Sequence, residues 1–262
     1  MNKKTKEYEY KDMVLSSAQL EVPREVYQRK FRSQRASKIA KDFDERIAND
    51  PKVSLRDGKY FVFDGQHTIA ARKLLNDGND LPIKCKVFFG MTIQEEAFLF
   101  AQQTGLSAPL TAGDHLRAML VAEEFEAVAF RDACQSLGVQ IDFEHERGAY
   151  RLGCIKTAFR LYEKIGEARF KEAMEMIIAA WQGDPDSFRA ENILGVAHFV
   201  DIYHDVYQPQ RLVSQLRHVD PLTIYREGRA TGINLPGYKK YLYQVFRIYN
   251  GNGKRGSLPM KF

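Results

Sequence analysis

Residues Lys52 to Thr68, KVSLRDGKYFVFDGQHT, decide how the N-terminal part of the chain folds. Asp57-Gly58 separates two runs that are rich in β-branched and aromatic residues. This dipeptide favours the primed turns that close two-residue β-hairpins. We therefore predict a hairpin with strands at Lys52–Arg56 and Lys59–Phe63.

The second strand leads directly into Asp64-Gly65-Gln66-His67-Thr68, and the apolar spacing of Ile69–Leu75 then predicts a short helix. The first turn of a helix has free backbone N–H groups and the positive end of the helix dipole, so it attracts phosphate. Gly65 lets a ligand approach the backbone, and Gln66, His67 and Thr68 add side-chain donors. Arg72, one turn along, adds a positive charge. Alternatively, Asp64 only caps the helix by accepting its first amides.

The flanking sequence predicts a small α/β module followed by helices. Met13–Leu15 favours a short strand, Ser33–Asn49 a helix, and Ile83–Phe89 a third strand. Beyond Thr92 strand signals almost vanish, and helices are predicted at 93–103, 112–122, 125–137, 153–165, 167–181, 189–205 and 209–218. The predicted fold class is α+β, with an α/β domain at 12–105 and a helical domain at 106–262 that ends in a basic tail.

Positive charge is concentrated at both ends of the 262-residue chain, whose net charge is +5. Residues 1–62 hold 15 Lys and Arg against 10 Asp and Glu, and residues 226–262 hold 8 against 1, whereas the middle is acidic. Seven cations near the start oppose only Glu25: Arg24, Arg29, Lys30, Arg32, Arg35, Lys38 and Lys41. Clustered cations attract polyanions, nucleic acid above all, although such runs are often only solvated surface. In the tail, aromatic residues between the cations either stack on bases or, as we favour, pack against the body.

The composition argues against several other classes of protein. A hydrophobic share of 44% is ordinary for a globular protein. No apolar run approaches the ~20 residues that span a bilayer, and the N-terminal residues are polar, so we expect a cytoplasmic protein with no membrane partner. The three cysteines, Cys85, Cys134 and Cys154, are widely spaced, which predicts free buried thiols. No pattern of metal ligands stands out, so we predict no metal site.

The run Tyr27-Gln28-Arg29, the helix ending in Lys41-Asp42-Phe43-Asp44, the hairpin and Asp64-Gly65-Gln66-His67 together resemble the ParB/sulfiredoxin-like superfamily. More narrowly, they resemble the DGQHR-type ParB-like proteins of phages and mobile elements, and over residues ~12–105 both the order of the elements and the motif agree. The resemblance implies that Gly65, Gln66, His67 and Thr68 bind nucleotide phosphate, with Arg29 pointing into the same cleft. It also implies a nucleotide ligand, with or without Mg²⁺, and DNA as a partner; a homodimer is left open.

The sequence departs from the family at informative positions. Thr68 stands where the motif usually has Arg, so Arg29 and Arg72 are the candidates to replace that charge. Gln66 replaces the reactive Cys of sulfiredoxins, and Ala101–Gly105 lacks the second phosphate motif of CTP-binding partition proteins. Besides the binding function, two alternatives remain. One is a phosphotransferase or nuclease with Asp64 and His67 as catalytic residues; related kinases of this fold use a carboxylate base, for which Asp42 and Glu45 are further candidates. The other is an interaction protein that has lost the ligand.

Overall fold

A computed structural model describes residues 8–24, 26–102, 110–230, 235–251 and 256–262. The chain forms two compact units that divide between Glu124 and Phe125. The predicted division at 105–106 lies outside the described residues, as do Glu25, Lys254 and Arg255. The first unit contains β1 (Tyr10–Ser16), β2 (Leu20–Glu21), α1 (Ser33–Lys41), β3 (Lys52–Arg56), β4 (Lys59–Asp64), α2 (Gln66–Leu75), β5 (Pro82–Phe89), α3 (Ile93–Ala101) and α4 (Ala112–Val121).

The five strands of the first unit form one mixed sheet in the order β1-β5-β3-β4-β2. The predicted hairpin is confirmed: β3 and β4 are antiparallel, and Asp57 and Gly58 have the positive φ angles of the predicted turn, 53° and 75°. The third predicted strand, β5, pairs in parallel with β3 and antiparallel with β1. The short strand β2 was not predicted, because two residues are too few to show a periodic pattern.

The prediction of a helix over Ser33–Asn49 is correct only for its first half. α1 ends at Lys41, and Phe43 and Ile47 lie in the loop that follows. The Asp44 side chain explains the early end, since its Oδ1 accepts a hydrogen bond from the Arg46 backbone N–H at 2.9 Å. Such local bonds from Asp compete with helical backbone bonds. The consequence is that apolar residues expected on a helix face lie beside a cavity instead.

Helices cover both faces of the sheet. Successive side chains of β4 point to opposite faces, so this strand contributes to the core on each side. Val62 packs in a core with Ile69 of α2. Phe63, on the other face, packs in a second core with Ala97 and Phe100 of α3. The junction between β4 and α2 is therefore anchored on both sides, and the position of the first turn of α2 is fixed by this packing.

The second unit is helical apart from one small sheet. Its elements are α5 (Phe125–Ser136), β6 (Gln140–Ile141), β7 (Arg151–Leu152), α6 (Ile155–Ile165), α7 (Glu167–Trp181), α8 (Ala190–Tyr203), α9 (Pro209–Arg217), α10 (Thr223–Ala230) and α11 (Lys239–Asn250). The seven helices predicted from residue 93 onward are confirmed. An all-helical domain is wrong in one respect, because β6 and β7 pair in parallel, and strands of two residues give no pattern to find.

The middle of the basic, aromatic tail forms α11, which packs against α8. A Cβ on Gly195 of α8 would lie 2.9 Å from the Tyr241 carbonyl oxygen, so only glycine allows this close approach. Leu242, Val245 and Tyr249 of α11 are buried. The expectation that the tail aromatics pack against the body is thus confirmed for Tyr249, whose buried ring is not available to stack on bases.

Candidate functional site

Gly65 makes the turn between β4 and α2. Its φ of 100° and ψ of 10° lie in the left-handed region, which residues with a side chain rarely adopt. A Cβ at this position would also lie 3.0 Å from Cα and 3.1 Å from Cβ of Pro51. The backbone angle and the close approach of Pro51 both favour glycine, and together they set the direction in which α2 begins.

α2 begins without a side-chain cap. The first hydrogen bond within the helix runs from the Ile69 N–H to the Gly65 carbonyl at 3.0 Å. The backbone N–H groups of Gln66, His67 and Thr68 have no acceptor within the described part of the chain. Three unsatisfied donors at the positive end of a helix dipole form a seat for an anion.

Asp64 does not cap α2, so that alternative is wrong. Its Oδ2 lies 3.1 Å from Nζ of Lys52 on the neighbouring strand. The β-bulge between Lys52 and Val53 brings Lys52 opposite Asp64 in the hairpin. Asp64 remains beside the turn, but it is held in an ion pair.

The segment Tyr27–Arg29 is held against the turn by buried hydrogen bonds. The Gln28 side chain donates to the Val62 carbonyl at 3.0 Å. The Gln66 side chain donates to Gln28 Oε1 at 3.2 Å and to the Arg29 carbonyl at 3.1 Å. The Gln66 side-chain amide is thus used in structural hydrogen bonds, whereas its Oε1 has no partner among the described residues and its backbone N–H is free for a ligand.

Glu96 of α3 also holds the segment Tyr27–Arg29 in place. It is fully buried, and its Oε2 accepts a hydrogen bond from the Tyr27 hydroxyl at 2.8 Å. Its Oε1 accepts from Nε of Arg56 at 3.2 Å. Burial raises the pKa of Tyr27, and the Glu96 carboxylate raises it further. The phenol therefore stays a neutral donor, and both carboxylate oxygens are satisfied.

His67 is a buried, neutral imidazole. Only 6% of it is exposed, and its ring stacks on Phe31 with a centroid distance of 5.3 Å. Nε2 accepts a hydrogen bond from the Arg32 backbone N–H at 3.3 Å, which assigns the ring proton to Nδ1. Burial lowers the pKa of His67 to about 4, with further lowering by Arg35, Arg29 and two other arginines. The residue can therefore donate from Nδ1, but it is poorly suited to act as a general base at neutral pH.

Four arginines create a positive field at the start of α2. Arg24, Arg29, Arg32 and Arg35 all disfavour the charged form of His67. Burial lowers the pKa of Arg29, and repulsion from Arg35 lowers it further. Like charges gathered around free amides favour the binding of an anion.

A cavity of about 660 Å³ opens beside this turn. It is lined by Asp64, Gly65, Gln66, His67 and Thr68 from the turn, by Arg29, Arg35 and Lys38, and by the apolar side chains Ile39, Phe43, Ile47 and Phe100. The volume lies in the range of sites for small molecules and cofactors. Free amides, cations and an apolar wall therefore share one space.

The carboxylates that line the cavity are largely neutralised. Besides Asp64, Asp44 pairs with Arg46 at 2.6 Å and Asp50 pairs with Lys84 at 3.3 Å. Asp42 has no ion-pair partner within the described residues. By contrast, neither Arg35 nor Lys38 of α1 is paired there, so the unbalanced charge of the cavity is mainly positive.

Two predicted residues lie apart from the others. Arg72 does not line the cavity. Its Nη2 lies 2.9 Å from Oε1 of Glu45, which makes an ion pair but not a hydrogen bond of good geometry. The Arg72 guanidinium also lies over the Phe43 ring. Because Glu45 pairs with Arg72 and does not line the cavity, it is not placed to act as a catalytic base there. The structure brings together Asp64, Gly65, Gln66, His67, Thr68 and Arg29 and adds Arg35 and Lys38, which the sequence showed only as part of a basic run.

Among the described residues, no group of three or more His, Cys, Asp or Glu side chains is arranged to hold a metal ion. No helix in the described ranges is long and apolar enough to cross a membrane. The three cysteines are free, and burial raises the pKa of Cys134 and Cys154 to about 12.

Comparison with known proteins identifies one family. None of the curated proteins matches the sequence. The model of one family, described as a family of unknown function and designated DUF6551, matches residues 22–262, which include the whole cavity. The chain therefore belongs to DUF6551.

Proposed function

We propose that this protein binds the phosphate of a nucleotide unit at the first turn of α2, as a ParB-like nucleotide- or DNA-associated protein. One observation carries the proposal: three backbone N–H groups without acceptors lie within a field of arginines that suppresses protonation of His67. A phosphate satisfies the amides and relieves the repulsion between the arginines at once.

The remainder of the cavity supports a nucleotide rather than phosphate alone. Ile39, Phe43 and Ile47 give an apolar wall for a base or sugar, and Ile47 is 71% exposed. An apolar side chain this exposed is available for contact with a ligand. His67 adds a donor at Nδ1, because its Nε2 accepts a hydrogen bond from the Arg32 backbone N–H.

Calorimetric titration of inorganic phosphate and a nucleotide panel tests the proposal. We expect Arg35→Gln to weaken binding about tenfold, since a hydrogen bond to a charged group contributes roughly 1.5–3 kcal/mol. Lys73→Gln is the matched control, because Lys73 lies on α2, pairs with Asp80 at 2.8 Å and does not line the cavity. Absence of binding by the wild-type protein would favour an interaction protein that has lost the ligand.

A second candidate, phosphate transfer or hydrolysis, has one observation in its favour. Asp42 lines the cavity and has no ion-pair partner in the described part of the chain, whereas Asp64 is paired and His67 has its Nε2 occupied. Asp42 is therefore the carboxylate best placed to serve as a base. Turnover of nucleotide or DNA that is lost in Asp42→Asn, while affinity is kept, supports this candidate.

A further inference from the structure

The cations of the first unit are divided into two groups by their ion pairs. Eight cations of this unit that do not line the cavity pair with carboxylates: Lys11, Arg46, Lys52, Arg56, Lys59, Arg72, Lys73 and Lys84. Around the cavity, five others have no ion-pair partner within the described ranges: Arg24, Arg32, Arg35, Lys38 and Lys41. Apart from Lys86, whose Nζ lies 4.0 Å from the centre of the Tyr10 ring, the described cations of this unit that have no ion pair lie around the cavity.

Arg24, Arg32 and Lys41 lie outside the cavity and are exposed. The Arg24 guanidinium lies 5.1 Å from the centre of the Phe31 ring, which itself stacks on His67. Arg24 is therefore held close to the first turn of α2. Arg32 is the N-cap of α1, where a positive charge opposes the helix dipole, so the stability of α1 does not explain its presence.

Lys41 continues the same surface on the other side. Arg35, Lys38 and Lys41 follow one another at intervals of three residues, so neighbouring members lie side by side on α1. At 1.5 Å per residue they extend about 9 Å along the helix. The sequence of α1, SQRASKIAK, contains no acidic residue that could balance them.

We infer that the ligand is a single strand of nucleic acid, with one nucleotide in the cavity and the adjoining phosphates on Arg24, Arg32 and Lys41. This inference rests on the proposed phosphate site and extends it. Arg35 and Lys38, which line the cavity, are sufficient to bind the phosphate of one nucleotide. We therefore expect the cations outside the cavity to bind further phosphates of the same strand. An apolar wall inside the cavity requires an unpaired base, because a base within a duplex is stacked and paired.

The test compares an oligonucleotide of about ten nucleotides with the corresponding mononucleotide, by fluorescence anisotropy and competition over a range of salt concentrations. We expect tighter binding of the oligonucleotide, with a log–log salt slope of about −2 to −3, because each phosphate contact on a single strand contributes about −0.7. Lys41→Gln should reduce the slope by about 0.7 and leave mononucleotide affinity within twofold, and Arg24→Gln should reduce the slope by a similar amount. Lys59→Gln, exposed and paired with Glu21, is the matched control and should change neither quantity.

Each outcome separates the inference from the function on which it rests. If the mononucleotide binds and the oligonucleotide binds no more tightly, the strand is rejected and the phosphate site stands. If neither the mononucleotide nor the oligonucleotide binds, both the phosphate site and the single-strand inference are rejected. Equal binding of a duplex, or equal competition by polyglutamate, also overturns the inference, since the surface then serves any polyanion or an acidic protein. Binding of either a DNA or an RNA single strand supports the inference. The ratio of the two affinities shows whether the site prefers deoxyribose or ribose.

Discussion

The imidazole of His67 accepts a hydrogen bond from the backbone N–H of Arg32, so a residue of the turn is tied to the N-cap of α1 at 3.3 Å. This bond requires Nε2 to be unprotonated. Protonation of His67 would break it and place a positive charge among arginines. The state of one ring therefore affects both the stability of the first unit and the field at the phosphate site.

The first prediction concerns stability in acid. Because the pKa of His67 is lowered to about 4 from an ordinary 6.5, the unfolded chain binds the proton more readily than the folded one. Stability should be complete above about pH 6.5 and fall progressively as the pH drops toward 4. Between pH 7 and 5 we expect a loss on the order of 1 to 2 kcal/mol from this residue.

Urea denaturation at the two pH values measures this loss. His67→Gln keeps an acceptor but removes the titration, so its pH dependence should be smaller than that of the wild-type protein. An unchanged dependence in the variant would show that other groups are responsible. His198, with a pKa lowered to about 4 by burial and then Lys164, provides a second contribution that the variant leaves intact.

The second prediction uses these two histidines as a probe and its internal control. Phosphate bound at the first turn of α2 adds negative charge near His67 and should raise its pKa by about one unit or more. His198, which stacks on Tyr238 in the second unit, should not respond. Titration of the ring protons by NMR, with and without saturating phosphate, measures both. Equal shifts of the two residues would contradict a site at α2.

The sequence was sufficient for the local features of the site and insufficient for its surroundings. The hairpin and the glycine turn were predictable because Asp57-Gly58 and Gly65 act through the local backbone. The ion pair between Arg72 and Glu45 was not, because it depends on how α1 and its loop pack against α2. The spacing of residues along α2 gave no indication that the Arg72 side chain would pair with Glu45 and lie outside the cavity.

The buried network around Glu96 was likewise beyond sequence analysis. Glu96 lies in the largely apolar helix α3, and its partners Tyr27 and Arg56 are far away in the chain. Only tertiary structure brings them together. The early end of α1 depends on one side-chain bond from Asp44, which competes with a periodic pattern that by itself favours a longer helix.

The third prediction separates backbone strain from steric contact at Gly65. Gly65→Ala should destabilise the protein by about 2–4 kcal/mol, because alanine disfavours φ of 100° and its Cβ would meet Pro51. Gly58→Ala is the matched control, since Gly58 has a φ of 75° but no atom within 4 Å of an added Cβ. That variant should show only the backbone cost of about 1–2 kcal/mol. Urea denaturation of both variants tests the difference, and equal losses would mean that Pro51 moves aside freely.

The fourth prediction concerns the anchor beneath Arg29. Tyr27→Phe removes the donor to Glu96 Oε2 and leaves a buried carboxylate oxygen unsatisfied, which should destabilise the protein by about 1–3 kcal/mol. Glu96→Gln should destabilise it by about 3 kcal/mol, because Arg56 then keeps only the exposed Asp57, at 3.6 Å, as a counter-ion. Lys59→Gln, which breaks only the exposed pair with Glu21, should change stability by less than about 1 kcal/mol. Free energies of unfolding from urea titrations give the ranking. If Tyr27→Phe and Lys59→Gln were equally mild, the hydrogen bond to Glu96 would not be what holds Tyr27–Arg29 against the turn.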